Sequence, residues 1–199
     1  QVAEFERGRY DEGWQAYLLG EWKQGGWWYY YVVGLFFKVP IATWLLVLLG
    51  ALSAWSWKAS ASQWSAVLCL WVPAIFFFWM VSGATGMNRH IRYALPVMPV
   101  LIIWASAYLR LDVRDEKDPP SGKRVWGAVA CCAWLIGSTL FYTPHYLSYF
   151  NMAAGGPKNG YKILCDSNID WGQDLIELKS WLSENEEASD NLRLAYFGS

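Results

Sequence analysis

Between Gln24 and Leu109 the chain carries four charged side chains, Lys38, Lys58, Arg89 and Arg92. That scarcity constrains the fold more than any other feature. A soluble domain carries about 25% charged residues, whereas this chain of 199 residues carries 17%, concentrated at residues 1–23, 110–124 and 125–199. A typical soluble globular domain is excluded for the central stretch. A disordered chain is excluded too, because disorder requires low hydrophobicity and high charge, and 55% of these residues are hydrophobic. The net charge of −1 argues against a general nucleic-acid binder. The first residue is Gln1 and no signal-peptide pattern follows it, which reads as a piece of a longer protein.

Aromatic residues make up 18% of the chain, with 15 Trp, 12 Tyr and 9 Phe. Trp and Tyr favour the membrane–water interface, where the ring is half apolar and the N–H or O–H stays wet. Trp27-Trp28-Tyr29-Tyr30-Tyr31 and Trp55-Ser56-Trp57 read as interface belts, with aromatic core packing as the alternative. Cys69, Cys131 and Cys132 lie in apolar runs and act as small hydrophobes, and Cys165 stands alone. Neither a metal-ligand spacing, a disulfide framework nor a cofactor motif is read.

A spanning helix needs about 20 mostly apolar residues. Residues 39–57, 65–82, 93–109 and 125–142 meet that description, and 27–37 reads as the interfacial start of the first span. The expected architecture is an α-helical multi-pass membrane protein with about four transmembrane helices. A juxtamembrane segment (1–26) precedes the helical region (27–142), and a truncated α/β module (143–199) follows it. Orientation comes from short-loop Lys and Arg. The 58–64 and 110–124 loops hold Lys58, Arg110, Arg114, Lys117, Lys123 and Arg124 and are expected on the cytoplasmic side. The N-terminal segment, the 83–92 loop and residues 143–199 then face outward.

In the last module, Gly155-Gly156-Pro157 and Asn159-Gly160 are turn signals. Residues 161–165 and 192–197 read as strands flanking a helix. That helix is expected to begin at Asp170, capped with Gln173, and to carry Trp171, Leu175, Leu178 and Leu182 as one stripe. Strand, helix, strand suggests a βαβ unit.

Two constellations could carry chemistry. Arg89, His90, Arg92 and Tyr93 lie at the mouth of the third span, where a lipid phosphate would receive charge-assisted hydrogen bonds. They also fit ordinary headgroup anchors. Asp166, Asn168, Asp170 and Gln173 lie between the expected strand and helix, in the kind of crevice where open α/β sheets bind ligands. Acidic and amide groups there suit sugar hydroxyls or a helix cap. Lys38 reads as a further phosphate contact or a snorkelling anchor.

These residues carry a resemblance. Gly20-Glu21-Trp22, Gly26 to Tyr31, Lys38-Val39-Pro40, Arg92-Tyr93-Ala94-Leu95-Pro96, Pro144-His145-Tyr146 through Asn151, Gly155-Gly156-Pro157 and Asp166 through Leu175 occur in that order. They resemble the C-terminal half of bacterial family 39-type glycosyltransferases of the GT-C fold, which are similar to protein O-mannosyltransferases and aminoarabinose transferases. The resemblance implies a multi-pass enzyme of the bacterial inner membrane. It implies transfer of a sugar from a polyprenyl-phosphate carrier to an acceptor on the outer face. It also implies a catalytic carboxylate in an upstream loop, acting as general base; no residue here matches that motif. The candidate substrate-binding residues, from their positions and the resemblance together, are Lys38, Arg89, His90, Arg92, Tyr93, Asp166 and Asn168. The expected partners are the polyprenyl-phosphate-linked sugar donor, the lipid bilayer and an unidentified acceptor, with no nucleic acid. Two other classes compete. A transporter places ionisable groups inside its spans, and these spans have none. A non-enzymatic anchor presenting an outer binding module remains the alternative.

Overall fold

A computed structural model describes residues 15–55, 60–83, 90–109 and 121–185. It opens with a β-hairpin that the sequence reading did not anticipate. Strand β1 (Gln15–Leu18) pairs antiparallel with β2 (Glu21–Gln24). The two-residue connection has positive φ at both Leu19 (52°) and Gly20 (91°), as the tight hairpin turns that match strand twist require. Alternation buries Ala16 and Leu18, and Tyr17 meets its cross-strand partner Trp22 at 5.1 Å between rings.

Helix α1 (Tyr30–Lys38) follows, then α2 (Ile41–Trp55), bent by 108° relative to α1. Pro40 forces the break. The residue before a proline is driven to extended geometry, and Val39 has φ −84° and ψ 136°. Helix α3 (Ala61–Gly83) starts on a capping box. The Gln63 amide nitrogen donates to Ser60 Oγ at 3.3 Å, and the Ser60 amide donates to Gln63 Oε1 at 2.9 Å. A 3-10 segment, Ile91–Val97, leads into α4 (Met98–Ser106) and a last 3-10 turn, Ala107–Leu109. Helix α5 (Gly122–Phe141) comes next.

Among the described residues three helices are long and apolar enough to cross a bilayer: Ala61–Gly83, Ile91–Leu109 and Gly122–Phe141. Within the first expected span, 39–57, the described helix is α2, and the sharp bend lies at its start, between α1 and α2. At 15 residues α2 is about 22 Å long, and a fourth crossing exists only if the bent α1–α2 pair acts as one. The apolar surface of the three helices stays largely uncovered by the described residues, with 17%, 11% and 6% of their most apolar 18-residue stretches buried. Helices α2 and α4 pack closely through Gly50, where a Cβ would lie 2.5 Å from the Trp104 carbonyl oxygen. Small residues permit such backbone approach in apolar surroundings.

The buried core lies at one end of this bundle rather than along it. Leu18 of the hairpin, Tyr30, Tyr31 and Leu35 of α1, Val81 of α3 and Ala94 meet Phe150, Ile163 and Leu164 there. The expected aromatic belt at 27–31 is therefore divided: Trp28 is 71% exposed, while Tyr30 and Tyr31 are core residues, 2% and 0% exposed.

The expected βαβ unit is corrected in its first strand. Residues 161–165 do not extend: a 3-10 segment, Pro157–Lys162, leads into a turn, and a second one covers Asp166–Asn168. The cause is local. Gly160 lies so close to the Phe150 ring that a Cβ would not fit, and the chain coils around that ring to bury Ile163 and Leu164. The second expected strand, 192–197, lies outside the described residues. Helix α6 (Asp174–Glu184) starts four residues later than expected. Asp170 Oδ1 accepts from the Gly172 and Asp174 amides at 2.9 and 3.4 Å, so it closes the entry turn. Gln173 Oε1 accepts from the Trp171 amide at 2.8 Å, not from Asp170 as in a capping box.

Candidate functional site

The two sequence constellations meet in space through contacts that span 77 positions. Asn168 is the hinge of that meeting. Its Oδ1 accepts from the Ile91 amide at 2.9 Å. Its Nδ2 donates to the Tyr30 hydroxyl and to the Cys165 carbonyl, both at 3.0 Å. Both amide N–H groups and the carbonyl oxygen are thus engaged at a residue only 1% exposed. Buried polar groups need such partners, because each one left unmade costs free energy. The side chain expected to meet substrate is committed to joining α1, the 91–97 segment and the 165–168 loop.

Lys38, the last residue of α1, reaches into the same joint. Its Nζ donates to the Leu147 carbonyl at 2.6 Å and to the Asn168 carbonyl, and lies 4.1 Å from the centre of the Phe150 ring. Two carbonyl oxygens and an aromatic face are a set of ligands for the ammonium group itself. Lys38 thus ties the loops together instead of standing open to a phosphate. Asn151, absent from the expected site, does comparable work. Its Nδ2 donates to the Phe36 and Val39 carbonyls at 2.6 and 2.9 Å, its Oδ1 accepts from Ala153 at 3.0 Å, and its backbone amide donates to Phe37 at 2.9 Å. It satisfies carbonyls that the end of α1 leaves without helical donors.

On this scaffold sits a cationic and aromatic cluster. The His90 ring hydrogen-bonds through Nδ1 to Ser167 Oγ. It stacks on Trp171, with centroids 5.7 Å apart and planes at 25°, and meets Tyr93 edge-on at 5.6 Å. The Arg92 guanidinium carbon lies 5.4 Å from the Tyr93 ring centre and 5.3 Å from that of Trp171. Arg92 is exposed and forms neither an ion pair nor a hydrogen bond among the described residues. Two rings therefore hold a guanidinium in place while leaving its five N–H donors open. Trp171, 53% exposed, was expected in the apolar stripe of α6; it precedes that helix and serves as the platform instead.

Asp166 has φ 65°, a left-handed conformation that Asp tolerates better than most residues. Its Oδ1 accepts from the Ser167 amide at 2.7 Å, which positions Ser167 for His90. Arg89 lies outside the described residues. The structure thus gathers Lys38, His90, Arg92, Tyr93, Asp166 and Asn168 around one joint. Among the described residues gathered there, Arg92 presents a charged group without a hydrogen-bond or ion-pair partner. Among the described residues, no three His, Cys, Asp or Glu side chains gather as metal ligands.

Comparison of the chain with models of protein families, with curated proteins and with solved structures finds no match.

Proposed function

We propose that this chain is the C-terminal part of a multi-pass membrane glycosyltransferase that takes a sugar from a polyprenyl-phosphate carrier and passes it to an acceptor on the outer face of the bacterial inner membrane. The observation that carries the reading is Arg92: an exposed guanidinium, lying against the rings of Tyr93 and Trp171 and without an anionic partner among the described residues, at the start of a helix apolar enough to cross a bilayer. A phosphodiester at a bilayer surface is the ligand such a group suits, because guanidinium binds phosphate through paired charge-assisted hydrogen bonds. His90 adds an imidazole against the same Tyr93 and Trp171 rings. Asn168, Lys38 and Asn151 act by holding the loops that carry this cluster. In this reading the general base belongs to a region upstream of the chain, and the segment after α5 faces the acceptor side.

The test is sugar transfer. Membranes containing the full-length protein are supplied with polyprenyl-phosphate sugars carrying radiolabel in the sugar. Label passing into a non-lipid or second-lipid product supports the enzyme. Intact donor across the common hexose and aminopentose donors, with the protein correctly inserted, favours the anchor reading, in which the joint merely fixes an outer module to the helices.

A further inference from the structure

A cavity of about 300 Å³ lies between the start of α2, the end of α5 and the segment that follows α5. It shares no residue with the Arg92 cluster. Its walls include Ile41, Trp134 and Phe141, and Ser138, Tyr142 and Tyr149 are the hydroxyl-bearing residues among them. Asn151 also lines it, but its amide is consumed by the end of α1. Along α5, Trp134 and Tyr142 are about 12 Å apart at the helical rise, so the cavity extends from the end of the helix into its apolar length. Phe141 is 80% exposed on a helix of bilayer-spanning length, so the cavity borders the surface that lipid would cover.

The lining fixes the chemistry of an occupant. Among the described residues no charged side chain lines the cavity. Burial pushes the Tyr149 phenol up, with the Ser138 hydroxyl beside it opposing the shift, so the phenol stays a neutral donor. An apolar slot ending in neutral hydroxyl donors suits a hydrocarbon chain that ends in ester carbonyls. A prenyl phosphate carries its anion directly on the chain end and would find no cation among the described residues that line it. We propose that this cavity binds an acyl chain of a bilayer glycerolipid, with the ester group at the hydroxyls of Ser138, Tyr142 and Tyr149. The proposal is independent of the transferase reading, since carrier binding at Arg92 is measured separately.

Gly137 supplies the test. It lines the cavity, and a Cβ built on it meets nothing within 4 Å. A large side chain there fills the slot without displacing protein, and replacing a mid-helix glycine favours the helix. The full-length protein is placed in phosphatidylcholine nanodiscs doped with phosphatidylcholine bearing a diazirine in one acyl chain. It is then irradiated and mapped by mass spectrometry. Adducts should concentrate between Trp134 and Tyr149 and fall several-fold in Gly137→Trp, while adducts near Trp126, at the other end of α5, persist. Tyr149→Phe, which keeps the ring and removes the donor, should also reduce adducts in the cavity. Even labelling along α5, or cavity labelling unchanged in Gly137→Trp, overturns the proposal. So does displacement of the cavity adducts by a polyprenyl phosphate but not by unlabelled phosphatidylcholine.

Discussion

The side chain of Asn168 donates to the hydroxyl of Tyr30 at 3.0 Å, across 138 positions of sequence. This bond joins the first helix to the loop that carries Trp171. Asn168 also holds the Ile91 amide, one residue from Arg92. Removing it takes this partner from the Ile91 amide, the Tyr30 hydroxyl and the Cys165 carbonyl, at buried or half-buried positions. Each buried group left unsatisfied costs about 1–3 kcal/mol, so Asn168→Ala should be strongly destabilising in thermal unfolding. Asn168→Asp should also destabilise, since it loses both N–H donors and buries a carboxylate among acceptors. An unchanged melting temperature for both variants would show that the joint does not hold the fold.

Lys38 gives a second test of the same joint. Lys38→Met keeps the length of the side chain and removes the donor to Leu147 and Asn168. The variant should lose about 1–3 kcal/mol in denaturant unfolding, the cost of stranded carbonyls. Hydrogen exchange should locate the loosening at residues 147–151 and 165–168. A role limited to headgroup anchoring would instead leave both segments as protected as in the parent protein.

Trp171 separates positioning from folding. It is half exposed and precedes α6, so Trp171→Ala should leave the melting temperature nearly unchanged. It removes one of the two rings against which Arg92 lies. An exposed cation–π contact is worth about 0.5–1 kcal/mol, which corresponds to about a two- to fivefold loss of affinity for a polyprenyl phosphate. Trp171→Phe should recover part of it. Equal affinities in all three proteins would remove Trp171 from the site.

Helix α6 should respond to pH. Burial holds the Asp174 carboxyl above its ordinary range, and the neighbouring Asp170 and Glu177 push the same way while His145 opposes them. The folded state therefore binds that proton more tightly than the unfolded chain does. Stability falls as pH rises from the ordinary carboxylate range through the raised value. Amides of α6 should exchange faster at neutral pH than in mild acid after correction for intrinsic rates, and Asp174→Asn should flatten the difference. An opposite slope would contradict the burial argument.

The helical regions were legible because charge is absent over long runs, and that absence fixes where a bilayer-length helix can lie. Arg92 and His90 stood out for the same reason: they are charged or titratable groups in a nearly charge-free stretch. Their partners were hidden, because periodicity reports faces of one element and not the contact of Ser167 with His90. The hairpin was missed since β2 is wholly exposed and only Ala16 and Leu18 alternate inward. Residues 161–165 look like a strand by composition, but Ile163 and Leu164 bury into the joint and form no ladder. Trp171 fitted a helical stripe by spacing, while Gly172, with φ 105°, ends that register before α6 begins.

The most direct test of the carrier-binding reading is equilibrium binding of undecaprenyl phosphate to the full-length protein in nanodiscs, compared between the parent and Arg92→Ala. Hydrogen bonds to charged groups contribute about 1.5–3 kcal/mol, so the variant should bind about ten- to a hundredfold more weakly, with an unchanged melting temperature and partial recovery in Arg92→Lys. Equal affinity in parent and Arg92→Ala, at equal stability, would contradict the assignment of the carrier phosphate to this cluster.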